Sequence, residues 1–312
     1  MRGTFQRRQI PDAVSGHTVE MLYMKAGRME VWAVPGRCMD LYEARFDDVN
    51  VSLTDRNAAI IDPDYVCRGA ESFRRSFFAG MLTTCGLIQT GRPCEENGRF
   101  FGLHGSVSHL PAASWKAEET EEGIALKVSV EERHQEGEHL QLEREYCLWD
   151  GGISWRDRVT NLGVSTPFML MYHINFGMPF VSENLKVKTT FLYEEDRGTG
   201  KPAGMETILK MAAPEPGRPE NVYYTRTKDR QITLISEETG LCAELVYAGL
   251  DWLGVWKNYT PDKYGLGLEP CVCPSLGRVG ARKRGLLPIL AKGETHVSGA
   301  RLCFKRIKET EV

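Results

Sequence analysis

Apolar and polar residues alternate with a period of two through most of this chain, and long stretches of helical periodicity are scarce. Gly123-Ile-Ala-Leu-Lys-Val-Ser-Val-Glu131 alternates cleanly, as do residues 140–146, 153–159, 185–191, 232–235, 243–247 and 296–304. Successive side chains of a strand point to opposite faces, so each run reads as a strand with one face on a core. Asp150-Gly-Gly152, Asn161-Leu-Gly163, Glu122-Gly123 and Glu238-Thr-Gly240 separate the runs with the residues that tight turns require. Many short strands punctuated in this way predict an all-β protein, an antiparallel sandwich or barrel. Helix is confined to two short candidates, residues 72–81 and 55–61. Pro214-Glu-Pro-Gly-Arg-Pro-Glu220 is too rich in proline for a central strand and reads as a long surface loop. Similar alternation continues on both sides of it, so a single domain over residues 1–312 is expected.

Composition narrows the function classes. At 312 residues, with 42% apolar and 26% charged side chains, the chain is an ordinary globular one, large enough for its own core. A formal charge of −3, with both signs mixed along the sequence, offers no basic patch for nucleic acid or an anionic membrane. The N-terminus carries charge without the apolar run of a secretory signal, and no segment approaches the ~18 consecutive apolar residues of a membrane-spanning helix. A cytoplasmic location is expected. Most of the 9 cysteines sit among apolar neighbours, as reduced, buried thiols do. Cys271-Val-Cys273 is the one close pair, and no second pair stands at zinc-site spacing.

Three polar side chains stand out against the apolar background. Glu269 ends the strand-like run Tyr264-Gly-Leu-Gly-Leu-Glu-Pro-Cys271, facing opposite Leu266 and Leu268. A carboxylate shielded there has its pKa raised by desolvation, toward the range of a general base near neutrality. The blander alternative is a solvated glutamate paired with a lysine or arginine. His173, in Leu170-Met-Tyr-His-Ile-Asn-Phe-Gly177, has the polar tips of Tyr172 and Asn175 beside it. An imidazole titrates near neutrality and can deliver a proton to an oxygen leaving group, or else it is a buried ring bonded to backbone. His104, in Phe101-Gly-Leu-His-Gly105, has glycines that let backbone approach a ligand, or is a turn histidine. His109 is either a second ring of the same pocket or the start of the next strand. One acid and two imidazoles point to acid–base chemistry on a neutral polar substrate. No glycine-rich phosphate loop, zinc helix or serine elbow is present. Cys85 lacks basic neighbours and reads as packing. His104, His109 and His173 lack nearby carboxylate ligands in the sequence, so no metal and no cofactor are expected.

These residues fall in blocks that resemble the aldose 1-epimerase (galactose mutarotase-like) superfamily, most of all its DUF4432 branch. The blocks are Gly80-Met-Leu-Thr-Thr-Cys-Gly-Leu87, Gly102-Leu-His-Gly-Ser106 with Pro111-Ala112, Asn161-Leu-Gly163, Tyr172-His-Ile-Asn-Phe-Gly177 and Gly265-Leu-Gly-Leu-Glu-Pro270, in the family's order. The resemblance implies a β-supersandwich with its site in a cleft on one face. It implies Glu269 as general base, His173 as general acid and His104 as a sugar contact, with Asn175 beside them. Members of the superfamily also carry a sugar-binding arginine and an aspartate, for which Arg74 or Arg75 and Asp251 are the candidates. Trp256-Lys257 resembles a pair of this branch that would supply a stacking face and a hydroxyl-binding cation. The implied activity interconverts α and β anomers of a sugar or modified sugar, with a small carbohydrate as partner and a homodimer left open. A non-catalytic carbohydrate-binding or regulatory module, and a sugar isomerase, epimerase or lyase on the same fold, are the alternatives.

Overall fold

Three antiparallel sheets hold most of the chain in the computed structural model, which describes residues 3–62 and 70–307. The first is a five-stranded meander in which Thr4–Pro11, Thr18–Ala26, Met29–Val34, Asp40–Phe46 and Val49–Asn50 lie in chain order. The second has eight strands, ordered Lys186–Lys188, Gln231–Ser236, Leu241–Ala248, Thr295–Arg306, Gly152–Asn161, His139–Trp149, Gly123–Arg133 and Ser114–Glu119. The third has six, ordered Phe191–Asp196, Asn221–Thr227, Trp252–Asn258, Gly265–Cys271, Met169–Gly177 and Thr83–Leu87. This is the galactose mutarotase-like β-supersandwich. No helix among the described residues is long and apolar enough to cross a membrane.

The alternation read from the sequence is what joins the layers. Leu126, Val128, Leu142 and Leu302 of the eight-stranded sheet share one apolar core with Ile174, Val255, Leu266 and Leu268 of the six-stranded sheet. Met169–Gly177 and Gly265–Cys271 are buried at every position, because both faces of the six-stranded sheet are covered there. The second face packs under Phe73, Phe77 and Leu103, with Met171, Cys85 and Cys271 beneath them. Among the described cysteines Cys38, Cys85, Cys242, Cys271 and Cys273 are buried, whereas Cys147 is exposed. Burial holds the Cys85 thiol well above its ordinary pKa, as suits a packing residue.

Three local expectations need correction. Residues 185–191 are not one strand: Lys186–Lys188 joins the eight-stranded sheet and Phe191–Asp196 the six-stranded one. Thr189 turns the chain between them, its hydroxyl donating to the Gln231 carbonyl. The helix expected over 72–81 is Ala70–Ser76, and it stops before Ala79 and Gly80, which take positive φ. Residues 55–61 form turns instead of a helix, with the Asp55 side chain accepting from the Asn57 N–H.

A buried ionic cluster ties the three sheets together. Arg144 donates to Asp157 through Nε at 2.7 Å and Nη2 at 2.6 Å, and reaches Asp40 through Nη1 at 3.4 Å. Asp40 accepts from the Thr84 N–H at 2.9 Å and its hydroxyl at 2.6 Å, and Tyr172 donates to Asp157 at 2.9 Å. All of these side chains are fully buried. Burial pushes the Asp40 carboxyl up to about 6, with Arg144 and Thr84 opposing it. Removing one member of such a cluster leaves uncompensated charge and typically costs about 3–5 kcal/mol. Arg144→Met is accordingly expected to lower the urea-unfolding free energy by that amount, and a loss below about 1 kcal/mol would contradict this role.

Candidate active site

Glu269 lies on Gly265–Cys271 and His173 on the neighbouring Met169–Gly177. The register between these strands runs from Met171↔Cys271 to Asn175↔Gly267, which sets His173 across from Glu269 on one face. His173 Nε2 stands 3.2 Å from Glu269 Oε1. Each residue is only 3% exposed. Space for the pair is left by two glycines. Gly254 is paired with Glu269, and a Cβ there would collide with the carboxylate. A Cβ at Gly267 would press to 3.1 Å against both His173 Cε1 and Trp256 Cε3.

Burial sets the charge of both groups. It pushes Glu269 up to about 8, with Arg197 opposing and Glu220 adding to the rise. It pulls His173 down to about 4, with the Asn175 side chain opposing. At neutral pH the pair therefore holds one proton, resting on the carboxyl and hydrogen-bonded to the imidazole. His104 stands beside it in the left-handed region, at φ 58°, with its ring centre 6.0 Å from that of His173. The Gly91 N–H donates to His104 Nδ1 at 3.3 Å, which leaves the hydrogen on Nε2. Burial holds His104 well below its ordinary pKa, so the ring is a neutral donor.

These groups open into a cleft of about 410 Å³, within the usual range for small-molecule sites. Its aromatic lining comes from Phe73, Phe77 and Trp256, and its charged lining includes Arg74, Arg92, Arg197, Lys263, Asp55 and Glu220. Phe77 and Trp256 stand 5.0 Å and 5.5 Å from the His173 ring. Glu220 accepts from Trp256 Nε1 at 2.7 Å and pairs with Arg197 at 2.9 Å, while Lys263 pairs with Asp55 at 2.6 Å. A larger hollow of about 570 Å³ on the five-stranded sheet contains no histidine and no Glu269, so it lacks the acid–base set. No group of three or more His, Cys, Asp or Glu among the described residues is placed to hold a metal ion.

The structure thus brings Glu269, His173, His104, Trp256 and Arg74 to one cleft and removes other candidates. Lys257 does not line the cleft: adjacent to Trp256 on the same strand, it projects from the opposite face. Its Nζ donates to the carbonyls of Thr207 and Lys210. Asn175 is wholly buried, its amide donating to the carbonyls of Ala79, Gly80 and His173, so it braces the wall and the His173 backbone without reaching the cleft. Asp251 is exposed and paired with Arg230 at 2.7 Å. Arg75 turns to Asp62, and His109 sits behind Phe73 with its Nε2 bonded to the Ser76 hydroxyl at 2.6 Å. The acid found near the pair is Glu220, the last residue of the proline-rich loop. Arg92 and Arg197, both at the cleft, lie in turns with no periodic signal to single them out.

The family model that matches is described as a domain of unknown function, DUF4432, and it covers residues 16–302. A comparison with curated proteins gives no significant match. Among solved structures, a candidate aldose 1-epimerase from Klebsiella pneumoniae is 19% identical, with a TM-score of 0.85 over 99% of this chain and 86% of that one. A galactose mutarotase-like protein from Clostridium acetobutylicum is 15% identical, with a TM-score of 0.69 over 97% of this chain and 98% of that one. Galactose 1-epimerase from Lactobacillus acidophilus is 12% identical, with a TM-score of 0.65 and the same two coverages. At such identities the likeness carries the fold. With the model matched over nearly its whole length, the chain belongs to the DUF4432 family.

Proposed function

We propose that the protein is an aldose 1-epimerase-like isomerase that interconverts the anomers of a sugar or modified sugar. The observation that carries this reading is the 3.2 Å Glu269–His173 pair on the floor of a small-molecule-sized cleft. The two pKa values are displaced in opposite directions, so the pair keeps one proton across neutral pH. A sugar entering the cleft replaces the direct hydrogen bond with its C1 hydroxyl on one side and its ring oxygen on the other. Transfer of the shared proton from Glu269 to His173 along their direct hydrogen bond, before the sugar replaces it, gives the ionised arrangement. From that arrangement Glu269 takes the C1 hydroxyl proton as the C1 carbonyl forms and the C1–ring-oxygen bond breaks. His173 gives its proton to the departing ring oxygen. Rotation about C1–C2 presents the other carbonyl face, and closure with the transfers reversed yields the other anomer. Protons balance at every stage, and the pair ends as it began. His104 offers an N–H to a sugar oxygen, and Trp256 and Phe77 offer apolar faces to the ring.

Each positioned proton-transfer group contributes on the order of 10²–10⁴ in rate. Glu269→Gln and His173→Asn are therefore each expected to slow anomer exchange, followed by NMR on a panel of aldoses, by about that factor. Sugar binding in calorimetry without any acceleration by the wild-type protein would instead identify a binding module.

The pH profile tests the shared proton. The rate is expected to form a plateau bounded by one limb near 4, where the pair takes a second proton, and one near 8, where it loses its last. Stability follows the same groups. A carboxyl whose pKa is raised on folding favours the folded state below its unfolded value, and that contribution is lost as pH rises toward 8. His173, lowered on folding, adds stability as pH rises from about 4 toward its ordinary value. The two trends oppose each other in mild acid, leaving a net loss as pH rises from about 6.5 to 8. Glu269→Gln should remove that loss, so its Tm should gain on the wild type as the pH approaches 8. A constant difference across this range would contradict a protonated Glu269.

A further inference from the structure

The charged lining of the cleft does not balance. Arg197 is matched by Glu220 at 2.9 Å and Lys263 by Asp55 at 2.6 Å. Arg92 is exposed on the cleft lining and has no ion-pair partner among the described residues. Arg74 has only Glu71, at 3.4 Å, with the two side chains 67% and 82% exposed. An ion pair of that kind is worth little in water and leaves the guanidinium free to turn to a ligand. Two arginines therefore face the cleft without effective neutralisation, and the buried carboxyl on its floor holds its proton at neutral pH.

Both arginines belong to the His104 side. Arg92 follows Gly91, whose N–H holds His104 Nδ1. Arg74 follows Phe73, whose ring centre lies 4.9 Å from that of His104. The ring oxygen of a pyranose joins C1 to C5. With the ring oxygen at His173 and the C1 hydroxyl at Glu269, the C5 substituent lies next to the His173 ring, and His104, whose ring centre is 6.0 Å from it, connects that position to the two arginines.

We propose that the cleft takes an anionic aldose, one whose exocyclic end carries a phosphate, sulfate or carboxylate group held by Arg92 with Arg74 beside it. The orientation of this sugar rests on the anomerase reading given above. The guanidinium fork matches all three oxyanions, which share the planar or tripodal oxygen array that bidentate hydrogen bonds recognise. Neutral sugars offer hydroxyls alone, which leave the two cations without a counter-charge.

The test compares glucose 6-phosphate, glucose 6-sulfate and glucuronate with glucose and galactose, using anomer exchange by NMR and binding by calorimetry. At least one anionic sugar is expected to show kcat/KM at least about tenfold above its neutral counterpart, and the ranking of the three identifies the anion. Arg92→Ala should shrink that ratio by about tenfold to a hundredfold, the effect of losing a charge-assisted hydrogen bond. Raised ionic strength should shrink it too, because the site is open to solvent. Neutral sugars handled as well as every anionic one, or a ratio unchanged in Arg92→Ala, would overturn the proposal while leaving the anomerase reading intact. Calorimetry on the Glu269→Gln protein separates the two ideas from the other side. Binding of an anionic sugar that weakens with Arg92→Ala, in a protein whose wild type accelerates no anomer exchange, upholds the anion subsite and removes the anomerase.

Discussion

Arg144 is the point on which the three sheets close. It lies on the eight-stranded sheet, fully buried, between Asp157 of that sheet and Asp40 of the N-terminal meander. Asp40 in turn grips Thr84, and Asp157 accepts from Tyr172, so both edges of the cluster end on strands of the six-stranded sheet. A guanidinium out of water demands that its partners stay in place, since each vacancy would leave a charge unsolvated. Apolar packing between sheets tolerates sliding more readily than a fork of directed bonds does. Tyr172 immediately precedes His173, which points to the opposite face. The constraint that fixes the layers thus also fixes the strand that presents the imidazole.

Regular strands supply the geometry of the acid–base pair, and small residues supply its room. Glu269 and His173 face each other because two antiparallel strands hold them in register, without a loop having to order itself. Gly254 and Gly267 leave open the volume that the carboxylate, the imidazole and Trp256 occupy. Asn175 spends all its donors on the backbone of Ala79, Gly80 and His173, linking the strand that carries the ring to the segment that follows Phe77. The burial that shapes the site also tunes it, by moving two pKa values past each other until the proton rests on the acid.

Strand periodicity made the architecture legible in the sequence, because half-buried strands write their two faces into alternate residues. Residues 123–131 and 296–304 predicted the cores of Gly123–Arg133 and Thr295–Arg306. The same rule could separate Trp256 from Lys257, since neighbours on a strand cannot share a face. Family likeness placed both at the site, and only Trp256 lies there. The sequence also left the break at Thr189 hidden, because a β-branched polar residue fits a strand as well as a crossing between sheets. Asp251 is the candidate for the superfamily's aspartate by resemblance alone, yet it lies exposed in the connection before Trp252–Asn258, paired with Arg230. Glu220, Arg92 and Arg197 were invisible for a simpler reason. Loop and turn residues carry no period, and their convergence depends on the path of the whole chain.

The division between strand-borne and loop-borne residues has an evolutionary consequence. The proton-handling groups ride on central strands, where any shift would disturb paired neighbours on both sides. The arginines and Glu220 sit on a short helix, turns and the proline-rich segment, which exchange residues at small energetic cost. A lineage could thus alter what the cleft admits by editing the rim alone, while inheriting the Glu269–His173 floor unaltered.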